Sequence, residues 1–377
     1  MRRKLSGLLF AILITIGPSL IADTSAVFMR INAISEGIQE QYCPDPRTSV
    51  WTVKTQWIND RYVLTGETDN GDARSEFYRQ IDENFSDLNN EKNIKLLPDD
   101  VMNGIIFAVP KNSIVTLRRR PSVKEEMVTQ SLRGLPLDIL KKERGFYLVR
   151  TDDGYLGWVG TDRVQEGDLE FKNEWQTAPQ VVYVDIEGVV YSEPSKKSQP
   201  VSDVIMGNRF RLLEQKRRWT KVGYPDQREG YLPTKSLEKL ANYLNRPLDF
   251  KELVKTAKLL MGRPYMWGAA SPKQLDCSGF TQTVYRQHGY VLQRDASMQV
   301  YEGVAVDTTN FPEQLQTGDL IFFGPNPQRI THVALYIGNY EFMHSSGRVR
   351  LDSFNPADPH YNNYRRTHIR AVRRIRK

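Results

Sequence analysis

The sequence predicts an α+β chain of several domains: a small mixed N-terminal cap, two small β-barrels, and a C-terminal domain in which helices precede a short antiparallel sheet. Three observations carry this expectation. The chain has 377 residues, enough for two to four domains at about 150 residues each. Its hydrophobic fraction of 40% and charged fraction of 26% are those of globular proteins and exclude a long disordered chain or a collagen-like repeat. The 18 Tyr, 15 Phe and 6 Trp set among 25 Gly and 20 Pro favour strands joined by tight turns.

The chain opens with Met1-Arg2-Arg3-Lys4 and an apolar run from Leu8 to Ala22 broken by Gly17 and Pro18. This is the layout of a signal peptide over residues 1–26, with cleavage expected after Ala26. The run is too short and interrupted for a permanent membrane span, and no cysteine lies near the cleavage point to carry a lipid. The expected product is periplasmic or extracellular and still mildly basic, which suits anionic cell-surface polymers and equally suits plain solubility. Two cysteines, Cys43 and Cys277, cannot build a disulfide framework.

Residues 27–100 read as the α+β cap. A helical stretch is followed by two alternating runs around Asn59-Asp60, a β-hairpin signal. Phe77, Ile81 and Phe85 then recur at a spacing of four on one helical face. Residues 101–168 change to short strands separated by Pro, Gly and Asp-Gly, and residues 169–240 repeat the grammar, with Gly154-Tyr155-Leu156-Gly157 answered by Gly230-Tyr231-Leu232-Pro233. Two copies of one barrel module follow, and both resemble bacterial SH3-like domains. A helical linker leads through Arg246-Pro247 into residues 248–377. There Leu253, Ala257, Leu260 and Met261 mark a helix stopped by Gly262, a second helix ends at Gly289, and two strand-like runs follow.

The chemistry is concentrated in this last domain. Cys277 stands at the start of a helix, where unpaired N–H groups and the positive end of the helix dipole favour a thiolate and can receive a tetrahedral oxyanion. Such a nucleophile needs a base and a group that orients the base. His332 begins an alternating strand and His344 lies on the next, so an antiparallel turn at Gly338-Asn339 brings the two together.

In order along the chain stand Pro264-Tyr265-Met266-Trp267-Gly268, Asp276-Cys277-Ser278-Gly279-Phe280, Arg294-Asp295, Thr317-Gly318-Asp319-Leu320-Ile321-Phe322-Phe323, His332 to Gly338, and Phe342-Met343-His344. On these residues the domain resembles the NlpC-type papain-like peptidases of bacterial cell walls. With the cap and two SH3-like modules ahead of it, the chain resembles their YkfC-like branch, γ-D-glutamyl-diamino-acid endopeptidases that cut murein stem peptides with a free N-terminal L-Ala.

The resemblance implies roles. Cys277 is the nucleophile, His332 the general base and acid, and His344 the orienting member, with the Tyr265 hydroxyl beside the oxyanion. Asp276 and Ser278 are the pair that holds the substrate's amine and adjoining main chain. Related sequences often read Arg-Asp-Ser where this one reads Arg294-Asp295-Ala296-Ser297, so Ser297 is the candidate for that polar contact. In the branch the first SH3-like domain closes one end of the groove with a Glu and a Tyr, for which Glu126 and Tyr155 are the candidates. The partners implied are peptidoglycan-derived peptides; no metal or organic cofactor and no nucleic acid is implied, and oligomeric state is left open.

Other readings stay beside this one. A wall-binding or scaffolding protein with a silent peptidase domain fits the same modules, and acyl transfer to an amine shares the thioester intermediate. Cys43 reads as structural. Tyr265 and Trp267 read equally as packing or as functional residues, His288 as a cation at a helix C-terminus, and Asp319 as a turn residue. His360 and His368 have no chemical context. The basic tail, with Ile369, Val372 and Ile375 interleaved, reads as a closing strand with solvated arginines.

Overall fold

The computed structural model describes residues 18–86 and 89–376, so most of the expected signal segment lies outside the described residues. The chain divides into two compact units at Leu97 and Pro98, each taken by itself here. No helix among the described residues is long and apolar enough to cross a membrane.

The first unit holds the helix Pro18–Tyr42, within which the expected cleavage point falls, and a three-stranded sheet with the helix Gly71–Asn84. Lys54–Ile58 and Arg61–Thr68 form the expected hairpin, with Asn59 and Asp60 at φ 50° and 57° in the left-handed region that short polar residues tolerate at such a turn. Asn70 caps the helix by accepting from the Ala73 N–H at 3.0 Å. Phe77 and Ile81 bury one face against Trp51, Leu64 and Ile94, and Phe85 follows just beyond the helix end. A third strand, Asn90–Leu96, returns parallel to Arg61–Thr68. Its sequence, NEKNIKL, has one fully buried side chain, Ile94, and carries almost no alternation signal. Cys43 is buried in this core, its thiol pushed up by that burial.

The second unit begins with two seven-stranded sheets, the first running from Phe107–Pro110 to Val164–Gly167 and the second from Gln180–Tyr183 to Leu237–Lys239. Counted within each module, the strands of both lie in the order 7-1-4-5-6-2-3. The repeat seen in the sequence is thus a repeat of topology. Residues 169–177, expected as the opening of the second module, instead form a connecting helix capped by Asp168. Trp175 is 1% exposed, packs with Phe107 and Val109, and donates to the Gly134 carbonyl at 3.2 Å.

Arg133 fastens the two barrels together. It is 1% exposed, and its guanidinium lies 5.3 and 4.8 Å from the Phe210 and Tyr224 ring centroids while donating to the Lys111 and Asp203 carbonyls. Asn208 adds a 2.8 Å hydrogen bond to the Ser113 carbonyl.

The last region packs the helices Phe250–Leu259 and Cys277–Arg286 on a six-stranded sheet, through Leu253, Phe280, Val284, Leu320, Val333 and Leu335. Three sequence expectations need correction here. The strand Ile369–Arg374 does not close the sheet edge; it lies between Val304–Ala305 and Leu320–Phe323. Its arginines are not simply solvated, because Arg374 pairs with both oxygens of buried Asp319 at 2.7 and 2.8 Å. His288 is not a cation: burial and the charge of Arg246 push it down to about 4, and it shares a 3.0 Å hydrogen bond with Thr256.

Trp175→Ala is expected to destabilise the second unit by about 3–5 kcal/mol, the range for emptying a fully buried aromatic site. Leu169→Ala, on the same helix but 57% exposed, is expected to stay within about 0.5 kcal/mol of the parent. Denaturant titration of both variants checks the contrast, and equal effects would show that the helix is not the packed joint described.

Candidate active site

Asp276 starts the Cys277 helix. Its Oδ1 accepts from the Gly279 N–H at 2.7 Å and its Oδ2 from the Gly268 N–H at 2.9 Å, fixing the helix entry to the loop before it. Arg294, 1% exposed, reaches the same carboxylate at 2.5 Å and the Ser278 Oγ at 3.0 Å. The approach is close enough that a side chain at position 279 would meet the Ala269 carbonyl at 2.1 Å, which is why this turn takes glycine. Cys277 occupies the first helical position and is 8% exposed.

The backbone N–H groups of Val333 and Ser278 act on the thiol and favour its ionised form, with Val333 at the start of the His332 strand. The charge of Arg294 favours a thiolate as well. Burial and the charge of Asp276 work against it more strongly and push the thiol up to about 11. His332 is held well below its ordinary value by burial, Arg365 and His344. Burial thus opposes the thiolate that the helix dipole favours, and it opposes the imidazolium beside it as well.

Behind His332 runs a relay. His332 Nε2 lies 2.7 Å from His344 Nδ1, and His344 Nε2 lies 3.1 Å from Asp352 Oδ2. The tight turn at Asn339 and Tyr340, at φ 53° and 65°, sets the two strands in this register. Burial opposes ionisation of Asp352, but hydrogen bonds from His344 and Asn362 and the charge of Arg350 hold it below the ordinary carboxylate value. An ionised carboxylate only accepts, so His344 carries its proton on Nε2 and accepts at Nδ1. His332 then donates from Nε2, and its Nδ1 is left bare as a base. Tyr265, half-buried, is pushed up to about 12 by burial and by the charges of Cys277 and Asp276, so its hydroxyl stays protonated and able to donate.

Residues 262–374 match the NlpC/P60 family profile, and residues 117–164 match that of the bacterial dipeptidyl-peptidase SH3 domain. A protein of Lysinibacillus sphaericus named dipeptidyl-peptidase 6 is 30% identical over 281 residues, 72% of this chain and 98% of that one. The chain belongs to the NlpC/P60 family. A γ-D-glutamyl-L-lysine dipeptidyl-peptidase of Bacillus cereus is 31% identical over 235 residues, 58% of this chain and 67% of the relative. The crystal structure of an NlpC/P60 family protein from Bacillus cereus superposes with a TM-score of 0.61 at 25% identity, covering 71% of this chain and 99% of that one.

In this NlpC/P60 chain the first barrel is fastened to the peptidase domain beside Cys277. Asp152 pairs with Arg286 at 2.5 and 3.0 Å and Asp153 accepts from Gln282 at 2.6 Å, both on one face of the Cys277 helix. These bonds anchor the turn that presents Tyr155, whose hydroxyl donates to Asp295 Oδ2 at 3.1 Å. Thr129 accepts from Arg294 at 2.9 Å. A side chain at position 268 would strike the Met127 carbonyl at 2.4 Å. Glu126 is exposed and accepts from the Trp267 indole at 2.7 Å, and Trp267 is itself exposed, so of its two sequence readings packing does not hold.

Asp276 and Ser278 also need correction. The sequence reading had them hold a substrate amine, but both Asp276 oxygens are engaged by Arg294 and backbone N–H groups, and Ser278 joins the same buried lattice. The carboxylate set beside Tyr155 is Asp295, half-buried, with Ser297 two residues on along the short helix Ala296–Gln299. Asp295 and Asp352 were missed. Asp352 left one faint signal: it falls on the same strand face as Arg350, the residue directly opposite His344.

Because the thiol is raised and the imidazole lowered, alkylation of Cys277 in the free protein is expected to accelerate by roughly tenfold per pH unit between pH 6 and 8, following the thiolate fraction. A rate already level across that range would mean a resting ion pair instead. Asp352→Asn offers His344 an amide donor and reverses the proton order, leaving His332 protonated on Nδ1. Its kcat is expected to fall on the order of a hundredfold or more with KM little changed, whereas a merely structural Asp352 would show lost folded protein and an unaltered kcat per titratable thiol.

Proposed function

We propose that this protein hydrolyses the bond between γ-D-glutamate and the diamino acid of murein stem peptides that carry a free N-terminal L-Ala. The observation that carries the reading is the buried Cys277, His332, His344 and Asp352 set with one end of its groove occupied by Tyr155 and Asp295. A barrel at that end leaves room for a short free peptide and not for a continuing strand of intact wall. The names of the two bacterial relatives, both dipeptidyl-peptidases, support the same assignment.

The chemistry follows from the proton positions. As Cys277 Sγ attacks the γ-carbonyl carbon, His332 Nδ1 takes the thiol proton, so charge is created only when substrate is there to be attacked. The oxyanion is received by the N–H groups at the helix start and by the Tyr265 hydroxyl. The C–N bond then breaks, His332 returns its proton to the leaving amine, and a thioester remains on Cys277. Water, giving its proton to His332, attacks the thioester and releases L-Ala-γ-D-Glu with the thiol restored. An ammonium at the far end meets the Asp295 carboxylate and the Tyr155 hydroxyl, a polar site that an acylated amine leaves unpaired. Export to the periplasm or exterior, where such peptides are shed, belongs to the same proposal and rests on the layout of residues 1–26.

Mass spectrometry of L-Ala-γ-D-Glu-meso-diaminopimelate and its N-acetylated form, each incubated with the protein, tests this. Release of L-Ala-γ-D-Glu is expected from the free-amine peptide alone and is lost in Cys277→Ala. Asp295→Asn is expected to raise KM for the free-amine peptide by about tenfold or more, the loss of one charge-assisted contact. Equal cutting of both peptides would remove the amine requirement, and cutting of neither would favour the silent wall-binding protein.

A further inference from the structure

On the peptidase reading, Cys277 and His332 meet the substrate at the bond that breaks. The amine end of a substrate lies toward Tyr155 and Asp295, and the leaving amine must lie at His332, which supplies its proton. The rest of the leaving group therefore falls on the His332 side of that bond, and a cation stands near His332. Arg365 lies on the short helix Asn363–Thr367, its guanidinium 5.3 Å from the Phe323 ring centroid and 5.6 Å from that of Tyr364. Phe323 is the cross-strand partner of His332, with ring centroids 5.9 Å apart. The helix is tied to the relay through Asn362, which accepts from the Arg365 N–H at 2.9 Å and donates to Asp352 at 2.5 Å.

What sets Arg365 apart is the lack of a protein acceptor for its guanidinium. Neighbouring arginines are engaged: Arg366 donates to the Phe354 carbonyl at 2.8 Å, Arg370 to that of Pro325 at 3.1 Å, and Arg374 to Asp319. Arg365 is half-buried against two rings, and its side chain makes no hydrogen bond or ion pair among the described residues. Its charge reaches Cys277 and His332. Holding an unpaired guanidinium partly out of water is unfavourable, and a planar fork beside the reacting bond suits a carboxylate.

We propose that Arg365 binds a carboxylate of the leaving diamino acid and so sets specificity on the leaving side of the groove. The assignment rests on the peptidase reading above. Two carboxylates offer this chemistry: the α-carboxylate of a diamino acid that ends the peptide, and the distal carboxylate of diaminopimelate, which lysine lacks.

Four peptides separate them: L-Ala-γ-D-Glu-L-Lys, the same with its α-carboxylate amidated, L-Ala-γ-D-Glu-meso-diaminopimelate, and the last amidated at the α-carboxylate. Each is cut by the wild type, Arg365→Gln and Arg365→Lys, with rates normalised to titratable Cys277 so that misfolded protein does not count. Arg365→Gln is expected to lose about tenfold or more in kcat/KM on the preferred peptide, with Arg365→Lys retaining part of it. If the α-carboxylate is the ligand, amidation costs the wild type the same factor on both parent peptides and costs Arg365→Gln nothing. If the distal carboxylate is the ligand, the wild type prefers both diaminopimelate peptides and Arg365→Gln loses that preference. Wild-type rates on all four peptides in Arg365→Gln would overturn the assignment while leaving the peptidase intact. No cleavage of any peptide by the wild type would overturn the peptidase reading, and the assignment with it.

Discussion

The buried ion pair between Asp276 and Arg294 is the contact on which the site depends. The carboxylate caps the nucleophile helix and holds the preceding loop, and the guanidinium reaches from the catalytic domain to Ser278 and to Thr129 of the first barrel. Burial works against the charge on Arg294, yet Asp276 keeps its guanidinium above its ordinary value. Removing one partner of such a pair leaves an uncompensated buried charge, a cost of about 3–5 kcal/mol. Helix start, preceding loop and barrel therefore meet at this one ion pair.

That arrangement explains why a binding module and a chemical module act as one. The turn carrying Tyr155 is anchored by Asp152 and Asp153 to Arg286 and Gln282, which are spaced four apart on the very helix that presents Cys277. The barrel is positioned relative to the reacting sulfur by a rigid helix and not by a linker. Arg133 between the two barrels, and the Lys273 to Asp203 ion pair at 2.6 Å, extend the same rigidity to the second barrel. A barrel tethered only by a linker would not hold Tyr155 at a fixed place relative to Cys277.

Much of the architecture was legible because local signals agreed with the final packing. Asn59-Asp60 specified its hairpin, the spacing of Phe77, Ile81 and Phe85 its helix face, and the repeated Gly-Tyr-Leu segments a repeated barrel. Cys277 at a helix start and His332 and His344 on paired strands followed from the pattern alone. What was hidden depends on long-range geometry. Asp276 reads as an available carboxylate until Arg294, 18 residues on, is folded against both its oxygens. The helix at 169–177 has three apolar residues, Leu169, Phe171 and Trp175, of which only the last two stand at a helical spacing of four. Burial opposes the charges expected at Cys277 and His288, because a helix dipole can be read from sequence and desolvation cannot.

The central claim is that Cys277 is acylated by the dipeptide portion of the substrate while the barrel holds the other end. Acid-quenching the protein within its first turnovers on L-Ala-γ-D-Glu-meso-diaminopimelate, followed by peptide mapping, reads this directly. The account predicts L-Ala-γ-D-Glu joined as a thioester to the peptide containing Cys277. Cleavage that proceeds with no adduct on Cys277, or with the adduct on another residue, would contradict it.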